Sequence, residues 1–458
     1  PSEPNCLILG VDFWKRMGIV PDLRSNAWEF SHVSTLDLAS LTDNVDLTSE
    51  QTKQVMTYLH ELEETFKNDE LGCTNLVQHE IVTTAEPIKQ RYYPISPALQ
   101  RHVDMELDQM LQDGVVEPSQ SPWSSPIIMV KKKDNTYRFC VDFRKVNKVT
   151  KKDAYPLPYV SSILDRLRDA KYITSIDLKS AYWQIPLKPE SRPITAFTVP
   201  NRGLFQFTRM PFGLHNAPAT WQRLIDRVIG ADLEPQVFVY LDDIIIVTSD
   251  FNRHMVVLKE VMKRLKNAGL NISREKCHFC RPELKYLGYV VNKDGLRVDP
   301  DKVSAIVNFP VPTTVPEARR FIGMASWYRR FIPNFSSVIA PITKLTRKYV
   351  RFSWDESCQE AFVAIQEALI SAPILSCPDF SKPFCIQTDA SDFGLGAVLT
   401  QSCEEGDRVV SYISYSLKKA ERKYTTTEKE CLAVLWAIEK FRPYIEGSHF
   451  TVITDHYS

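Results

Sequence analysis

Residues 237–247 read Val-Phe-Val-Tyr-Leu-Asp-Asp-Ile-Ile-Ile-Val, so two adjacent carboxylates, Asp242 and Asp243, stand between two apolar runs of β-forming residues. This pattern predicts two strands joined by a tight hairpin turn that carries both acids. Two carboxylates a few ångströms apart repel, and one takes up a proton unless a cation neutralises the pair. A third carboxylate, Asp177, ends the apolar stretch 172–176. Three oxygen ligands at neighbouring strand ends predict a site for Mg²⁺ or Mn²⁺.

Four longer strings extend this motif and carry a resemblance to a known family. They are SIDLKSAYWQIPL (175–187), FTRMPFGLHNAPATWQRLID (207–226), FVYLDDIIIVTSD (238–250) and LKYLGYVV (284–291). In this order and spacing they resemble the reverse transcriptase of a gypsy-type LTR retrotransposon Pol polyprotein, and the likeness runs through most of the chain. The resemblance implies an α+β multidomain fold, in which a right-hand polymerase of fingers, palm and thumb precedes a truncated ribonuclease H-like α/β domain.

Length and composition agree with an enzyme of several domains. A chain of 458 residues exceeds the size at which one hydrophobic core keeps growing. Its apolar runs are much shorter than the roughly 20 residues of a membrane-spanning helix, so no membrane partner is expected. Ten scattered cysteines indicate reduced thiols and a cytoplasmic location. The one CxxC, at 277–280, favours a structural turn over a zinc site because no second pair lies nearby. The resemblance implies location within retrotransposon particles, or in the nucleus.

A basic cluster offsets the formal net charge of zero, which is unexpected for a protein that meets a phosphate backbone. Nine Lys and Arg residues between 131 and 152 face only two aspartates. A solvated charged face is one interpretation. The alternative is that residues 127–144 form a β-hairpin with a charged tip, similar to the fingers hairpin of retroviral-type polymerases. That resemblance implies that Lys132 and Arg138 contact the triphosphate of a deoxynucleotide, with Arg144 in support.

The resemblance also assigns roles around the acidic turn. Asp177 and Asp242 would bridge two metal ions, and Asp243 would be an outer ligand. Tyr182 would exclude a ribose 2′-hydroxyl and Phe212 would pack near the sugar, although Tyr182 is equally interpreted as a buried aromatic. The string Leu287-Gly288-Tyr289 resembles the primer grip, with a plain hairpin as the alternative. A helix capped by Thr314 and Glu317 is interpreted as a thumb that tracks phosphates with the basic and aromatic residues Arg319, Arg320, Trp327, Tyr328, Arg329 and Arg330.

The last part of the chain predicts strands and helices in the order β-β-β-α-β, which looks like ribonuclease H. Asp389 ends the first strand, Glu430 lies on the helix and Asp455 ends the fourth strand. The resemblance makes these three residues metal ligands and catalytic groups, again with two Mg²⁺ or Mn²⁺ ions. Glu430 is preferred to Glu428, which points about 200° away around the helix. The family's fourth carboxylate would lie beyond Ser458, so hybrid cleavage by this chain is expected to be weak.

These interpretations divide the chain into five parts. They are a remnant of a retropepsin-like protease (1–24), a linker with one helix (25–90), reverse transcriptase fingers and palm (91–292), thumb or connection (293–375), and a C-terminally truncated ribonuclease H-like domain (376–458). The chain is expected to be excised from something longer, because it begins with Pro1.

The expected function is RNA-directed DNA synthesis by two-metal nucleotidyl transfer, with RNA and DNA template-primers and deoxynucleoside triphosphates as partners. Two alternatives stay open. An RNA-dependent RNA polymerase is disfavoured by Tyr182 and by the ribonuclease H-like part. A non-catalytic nucleic-acid-binding descendant would have to have lost its activity through changes at other residues, because all three polymerase aspartates are present.

Overall fold

The fold is given by a computed structural model, which describes residues 19–22, 27–30, 47–66, 71–132, 136–403 and 406–454. Most of the expected protease-like remnant and the expected metal ligand Asp455 lie outside the described residues. Within the described part of the chain, no helix combines the length and the apolar character that crossing a bilayer requires.

Two short antiparallel strands and one helix precede the segment predicted to form fingers and palm: β1 (Ile19–Asp22), β2 (Ala27–Phe30) and α1 (Ser49–Thr65). The helix begins at a capping box, in which Thr48 and Gln51 exchange backbone-to-side-chain hydrogen bonds. Its apolar face is buried in the core that also contains the palm, through Val55, Leu59, Leu62 and Phe66. The helix that sequence placed in a linker therefore packs as part of the polymerase core.

The elements from residue 97 to residue 207 are α2 (Pro97–Gln112), β3 (Val116–Pro118), β4 (Ser125–Lys131), β5 (Tyr137–Val141), α3 (Arg144–Val149), α4 (Val160–Leu164), β6 (Tyr172–Asp177), β7 (Phe197–Val199) and β8 (Gly203–Phe207). Five of these strands form the fingers sheet in the order β3-β8-β7-β4-β5. Strands β4 and β5 make the predicted hairpin, with Lys131 opposite Tyr137. Helix α2 buries Val103, Leu107 and Met110, as its spacing predicts.

The palm adds α5 (Ala217–Ile229), β9 (Val237–Tyr240), β10 (Asp243–Thr248), α6 (Phe251–Asn267) and β11 (His278–Arg281). Its antiparallel sheet has the order β11-β6-β10-β9. Along β10, Ile244 and Ile246 enter the core shared with the fingers, whereas Ile245 and Val247 enter a second core shared with the thumb. The strand is apolar throughout because both of its faces are buried.

The next elements are β12 (Glu283–Tyr286), β13 (Tyr289–Asn292), β14 (Gly295–Val298), α7 (Pro300–Val307), α8 (Val315–Trp327), α9 (Phe335–Val338), α10 (Ala340–Leu345) and α11 (Glu356–Ile370). The three strands form one antiparallel sheet, and the helices pack on each other around Phe321, Ile342 and Ile365. Helix α8 begins at Thr314 as predicted, but the Glu317 carboxylate accepts hydrogen bonds from Thr313 instead of completing the box at Thr314.

The last unit contains β15 (Phe384–Ala390), β16 (Gly394–Cys403), β17 (Gly406–Ser416), α12 (Thr426–Ile445) and β18 (Phe450–Thr454), in the predicted β-β-β-α-β order. The sheet order is β17-β16-β15-β18, and β15 pairs with β18 in parallel. Helix α12 buries Ala437 and Phe441 on the sheet face that carries Ile386 and Leu399.

A buried ion pair joins this unit to the palm and the thumb. The guanidinium of Arg330 donates to Asp165 Oδ1 at 2.7 Å, and the Tyr444 hydroxyl donates to Asp165 Oδ2 at 2.6 Å. Sequence reasoning placed Arg330 on the phosphate-tracking surface of the thumb. That expectation is wrong for Arg330, because its side chain is only 13% exposed and its charge is already paired.

Candidate active site

The acidic motif forms a two-residue turn between β9 and β10. Tyr240 pairs with Asp243, so Leu241 and Asp242 occupy the turn. Leu241 has φ of 52°, a conformation usually left to Gly, Asn or Asp. Both of its backbone polar groups are bound by α5, because Trp221 Nε1 donates to the Leu241 carbonyl at 2.8 Å and Gln222 Oε1 accepts from its amide at 3.0 Å. Helix α5 thus holds a strained turn in place.

The structure brings the three predicted aspartates together. Asp177 at the end of β6 lies directly opposite Asp243 on β10, and Asp242 is the adjacent turn residue. Burial, followed by the charges of Asp243 and Asp177, raises the pKa of Asp242 to about 6. Burial also raises the pKa of Asp177 and that of Asp243. Asp242 Oδ1 is a buried oxygen with no hydrogen-bond partner among the described residues.

Lys276 is a functional-site residue that sequence reasoning missed. Its ammonium lies 3.6 Å from Asp177 Oδ1, and its charge opposes the upward pKa shifts of Asp177 and Asp242. The amide of Ser273, three residues earlier, donates to the Asp177 carbonyl at 2.8 Å and fixes this loop beside the acid. No signal in the string Ser-Arg-Glu-Lys at 273–276 indicates this contact, which depends on the fold.

The donor set fits a divalent cation, although the carboxylates are not arranged around one point. Among the described residues, no group of three or more His, Cys, Asp or Glu side chains is gathered closely enough to hold a metal ion. The unpartnered Oδ1 of Asp242 and the mutual repulsion of three acids are nevertheless what a hard cation would relieve.

The two aromatic residues assigned to the sugar lie beside this turn. Tyr182 and Phe212 have ring centroids 5.0 Å apart, and Tyr182 also packs on Trp221. Burial and the nearby charge of Asp242 raise the pKa of the Tyr182 phenol above its usual range. Phe212 is 45% exposed, so a substrate can reach it. The position of Tyr182 is compatible with both of its interpretations, as a buried aromatic and as a residue beside the sugar, since it is buried and also adjacent to the acids.

The two predicted phosphate contacts on the fingers hairpin, Lys132 and Arg138, are both exposed. Lys132 closes the described part of the hairpin with a hydrogen bond from its amide to the Thr136 carbonyl at 2.8 Å, and Arg138 lies opposite Val130. Arg144 differs, because its guanidinium donates to both oxygens of Asp142, at 2.8 and 2.7 Å. This contact lowers the pKa of Asp142 to about 2. Arg144 therefore already has an anionic partner, whereas the sequence assigned it to phosphate.

The expected primer grip is a two-residue hairpin turn that the thumb holds. Leu287 and Gly288 both have positive φ, 49° and 83°. The Tyr328 hydroxyl donates to the Gly288 carbonyl at 2.8 Å, and the Tyr289 hydroxyl donates to the Trp327 carbonyl at 2.9 Å. The turn thus satisfies the plain-hairpin interpretation, while its contacts link it to the end of α8.

A second acidic site lies in the last unit. Asp389 is exposed near the end of β15, and Glu430 Oε1 accepts a hydrogen bond from the Ala390 amide at 3.2 Å. Glu428 instead caps α12, where its carboxylate accepts from the amide and hydroxyl of Thr425. The structure therefore places the Glu430 carboxylate at the backbone of the residue after Asp389, and gives Glu428 a helix-capping role.

Comparisons with known proteins identify two family matches along the chain. Residues 130–291 match the family model of reverse transcriptase (RNA-dependent DNA polymerase), and residues 354–452 match that of the RNase H-like domain found in reverse transcriptase. The chain is 38% identical to the retrovirus-related Pol polyprotein from transposon opus of Drosophila melanogaster, over 98% of this chain and 47% of the relative. It is 39% identical to that from transposon gypsy of the same organism, over 81% of this chain and 37% of the relative. The chain thus spans about half, or less, of the length of these curated relatives.

Solved structures show the same likeness. The foamy viral protease-reverse transcriptase in complex with an RNA/DNA hybrid has a TM-score of 0.79 and 26% identity, covering 92% of this chain and 57% of that chain. The dRH form of that protein in complex with double-stranded DNA has a TM-score of 0.84 and 26% identity, covering 92% and 74%.

Proposed function

The chain belongs to the reverse transcriptase and RNase H-like region of gypsy-type retrotransposon Pol polyproteins, and from this premise we propose that it is an RNA-directed DNA polymerase. In this proposal it extends a primer on an RNA or DNA template with deoxynucleoside triphosphates. The observation that supports it best is the buried, unpartnered Oδ1 of Asp242, beside Asp177 and Asp243. Isolating such an oxygen from hydrogen-bond donors is costly unless a cation occupies the site.

Asp177, Asp242 and Asp243 are the residues that would hold Mg²⁺ or Mn²⁺. When bound, two such ions would neutralise charge on the attacking and leaving oxygens of nucleotidyl transfer. Lys276 lies on the Asp177 side of this group, where its ammonium offsets part of the negative charge of the aspartates themselves. The strained turn at Leu241, fixed by Trp221 and Gln222, keeps Asp242 in position.

The substrate contacts follow from the surfaces around the acids. Tyr182 and Phe212 form an aromatic wall that would exclude a 2′-hydroxyl by its bulk. Lys132 and Arg138 would meet the triphosphate, and the turn at Leu287, Gly288 and Tyr289 would hold the primer end. The foamy viral structures, whose printed names include an RNA/DNA hybrid and double-stranded DNA, support nucleic-acid partners of both kinds.

We extend the proposal to hybrid cleavage by the RNase H-like unit, with Asp389, Glu430 and Asp455 as its metal ligands and two ions at that site. The support is the position of Glu430 beside Ala390 at the end of β15. As part of a retrotransposon polyprotein, the protein would act in cytoplasmic particles or in the nucleus.

The decisive experiment is Asp242→Asn, with Asp294→Asn in an exposed turn as the matched control. Primer extension on RNA should fall by about three orders of magnitude or more in Asp242→Asn, because the ligand charge is lost. Duplex affinity should stay within about twofold, since Lys and Arg supply it. Mn²⁺ binding, followed by electron paramagnetic resonance, should weaken in the same variant. Extension within tenfold of the parent would remove Asp242 from the site, and an inactive parent that still binds duplex would favour a non-catalytic binding protein.

A further inference from the structure

The exposed acid Asp389 lines a cavity that two separate units of the chain build together. The cavity measures about 230 Å³. Its floor comes from β15, β16 and β17, through residues that include Gln387, Asp389 and Tyr412. Its other wall is Pro333 and Asn334, which precede α9 and lie outside the segment 354–452 that matches the RNase H-like model. A residue of the thumb side therefore reaches the surroundings of a nuclease carboxylate.

The position of Asn334 relative to Asp389 follows from the sheet register. Asp389 and Gly396 are direct partners across the β15–β16 ladder, so positions 389 and 396 project to the same face. Asn334 Oδ1 lies 2.1 Å from the point where a Cβ at position 396 would stand. Partner Cβ atoms are about 5 Å apart, so the Asn334 carboxamide lies within one side-chain length of the base of Asp389. Glycine at 396 is what leaves room for it.

The chain beside Asn334 is anchored to the sheet two residues further on. Ser336 is fixed to β17, because its amide donates to Ser414 Oγ at 2.8 Å and its hydroxyl to the Ser414 carbonyl at 3.0 Å. Asn334 itself has φ of 49°, which asparagine tolerates better than most residues. Its side chain is exposed and makes no hydrogen bond within the described part of the chain. An exposed amide on an anchored segment near a carboxylate is available to a ligand.

We infer that Asn334 contacts the ribose 2′-hydroxyl of the RNA strand of an RNA–DNA hybrid bound at this cavity. A carboxamide can both donate to and accept from a hydroxyl, which has the same dual capacity. The 2′-hydroxyl is the group by which a protein distinguishes RNA from DNA. This inference rests on the proposed function, and it assigns part of the strand selectivity to a residue outside the RNase H-like unit.

The test uses the full chain in Ca²⁺, with an RNA–DNA hybrid whose ribonucleotides are replaced one at a time by deoxynucleotides. In the parent, a deoxynucleotide at one position should lower the affinity for the hybrid by about five- to tenfold, which corresponds to the loss of a single hydrogen bond. Asn334→Gly removes the amide and tolerates the positive φ. This variant should bind the all-ribose hybrid as weakly as the parent binds the hybrid with a deoxynucleotide at the sensitive position. A deoxynucleotide at that position should then cause no further loss of affinity. Affinity for DNA duplex of the same sequence should not change.

Gly396→Ala provides an independent route to the same outcome. The new Cβ displaces the Asn334 amide, so Gly396→Ala alone should lower hybrid affinity as much as Asn334→Gly does. The double variant should bind no more weakly than Asn334→Gly alone. An unchanged deoxynucleotide scan in Asn334→Gly, or a parent without any sensitive position, would overturn the inference. Primer extension, measured on the same proteins, reports failure of the proposed polymerase function separately.

Discussion

The indole Nε1 of Trp221 lies 2.8 Å from the carbonyl oxygen of Leu241, the residue that precedes Asp242. A helix side chain thereby supplies a hydrogen bond that the two-residue turn cannot make for itself. The position of Asp242, the proposed metal ligand, depends on this contact, because Leu241 has a backbone conformation that its own side chain disfavours.

Trp221→Phe should test that dependence, because it keeps an aromatic ring in the core and removes the donor, together with the volume of the second indole ring. Leaving the carbonyl unsatisfied should cost about 1–3 kcal/mol of stability. Misplacement of Asp242 should lower the kcat of primer extension by about tenfold or more. Trp354→Phe is the control, because Trp354 Nε1 donates to Gln359 far from the acids. Equal effects of the two changes on kcat would contradict the role given to Trp221.

Tyr182→Ala should increase ribonucleotide use relative to deoxynucleotide use. The change opens the space beside Phe212 where a 2′-hydroxyl is proposed to be excluded by bulk. Tyr182→Phe keeps the ring and should keep the discrimination, which separates bulk from the hydroxyl group. The ratio of kcat/KM for the two sugars is the measurement. Should that ratio stay unchanged in Tyr182→Ala, another residue selects the sugar.

Lowering the pH should destabilise the palm through His254. This residue is fully buried between Thr174 on β6 and Thr248 on β10, with hydrogen bonds of 2.7 and 2.9 Å. Burial lowers its pKa from 6.5 to about 4. Between these values the unfolded chain binds a proton that the folded chain does not, so the free energy of unfolding falls as the pH drops. The loss should total about 2–4 kcal/mol for this group.

Urea unfolding, followed by tryptophan fluorescence from about pH 7 down to about pH 4.5, measures that loss. His254→Gln should make the pH dependence less steep without abolishing it, because burial also lowers the pKa of His79 to about 4. The same change at the exposed His215 should leave the slope as it is in the parent. A pH dependence of His254→Gln that is as steep as the parent's would show that other groups carry the effect.

Breaking the buried pair of Arg330 and Asp165 should be far more damaging than breaking a surface pair. Arg330→Met leaves the Asp165 carboxylate buried, with Tyr444 as its remaining hydrogen-bond donor, and should cost about 3–5 kcal/mol. Arg442→Met is the matched control, because its pair with Glu446 has side chains 69% and 64% exposed. That change should cost about 0–1 kcal/mol. Equal urea midpoints for the two variants would contradict the importance of the buried pair.

The site residues that could be predicted from the sequence are those whose neighbours along the chain form a recognisable pattern. The Asp242–Asp243 turn was predictable because apolar runs flank it directly, and Asp177 because it ends a similar run. Lys276, Asn334 and the Asp165–Tyr444 contact could not be predicted. Each depends on two segments that meet only after folding, and the last joins residues 279 positions apart. Arg330 was misassigned for the same reason, since no local pattern shows that its charge is paired.

Strand β10 contributes to two cores, one through Ile244 and Ile246 and the other through Ile245 and Val247. The segment that matches the reverse transcriptase family model is therefore not the segment that folds as one unit. The family match ends at residue 291, yet Ile245 and Val247 belong to a core that also contains helices beyond this point. A fragment cut there would lose the part of this core that those helices supply. Such a fragment would be prone to aggregate, so a minimal polymerase from this chain has to retain the helices through α11.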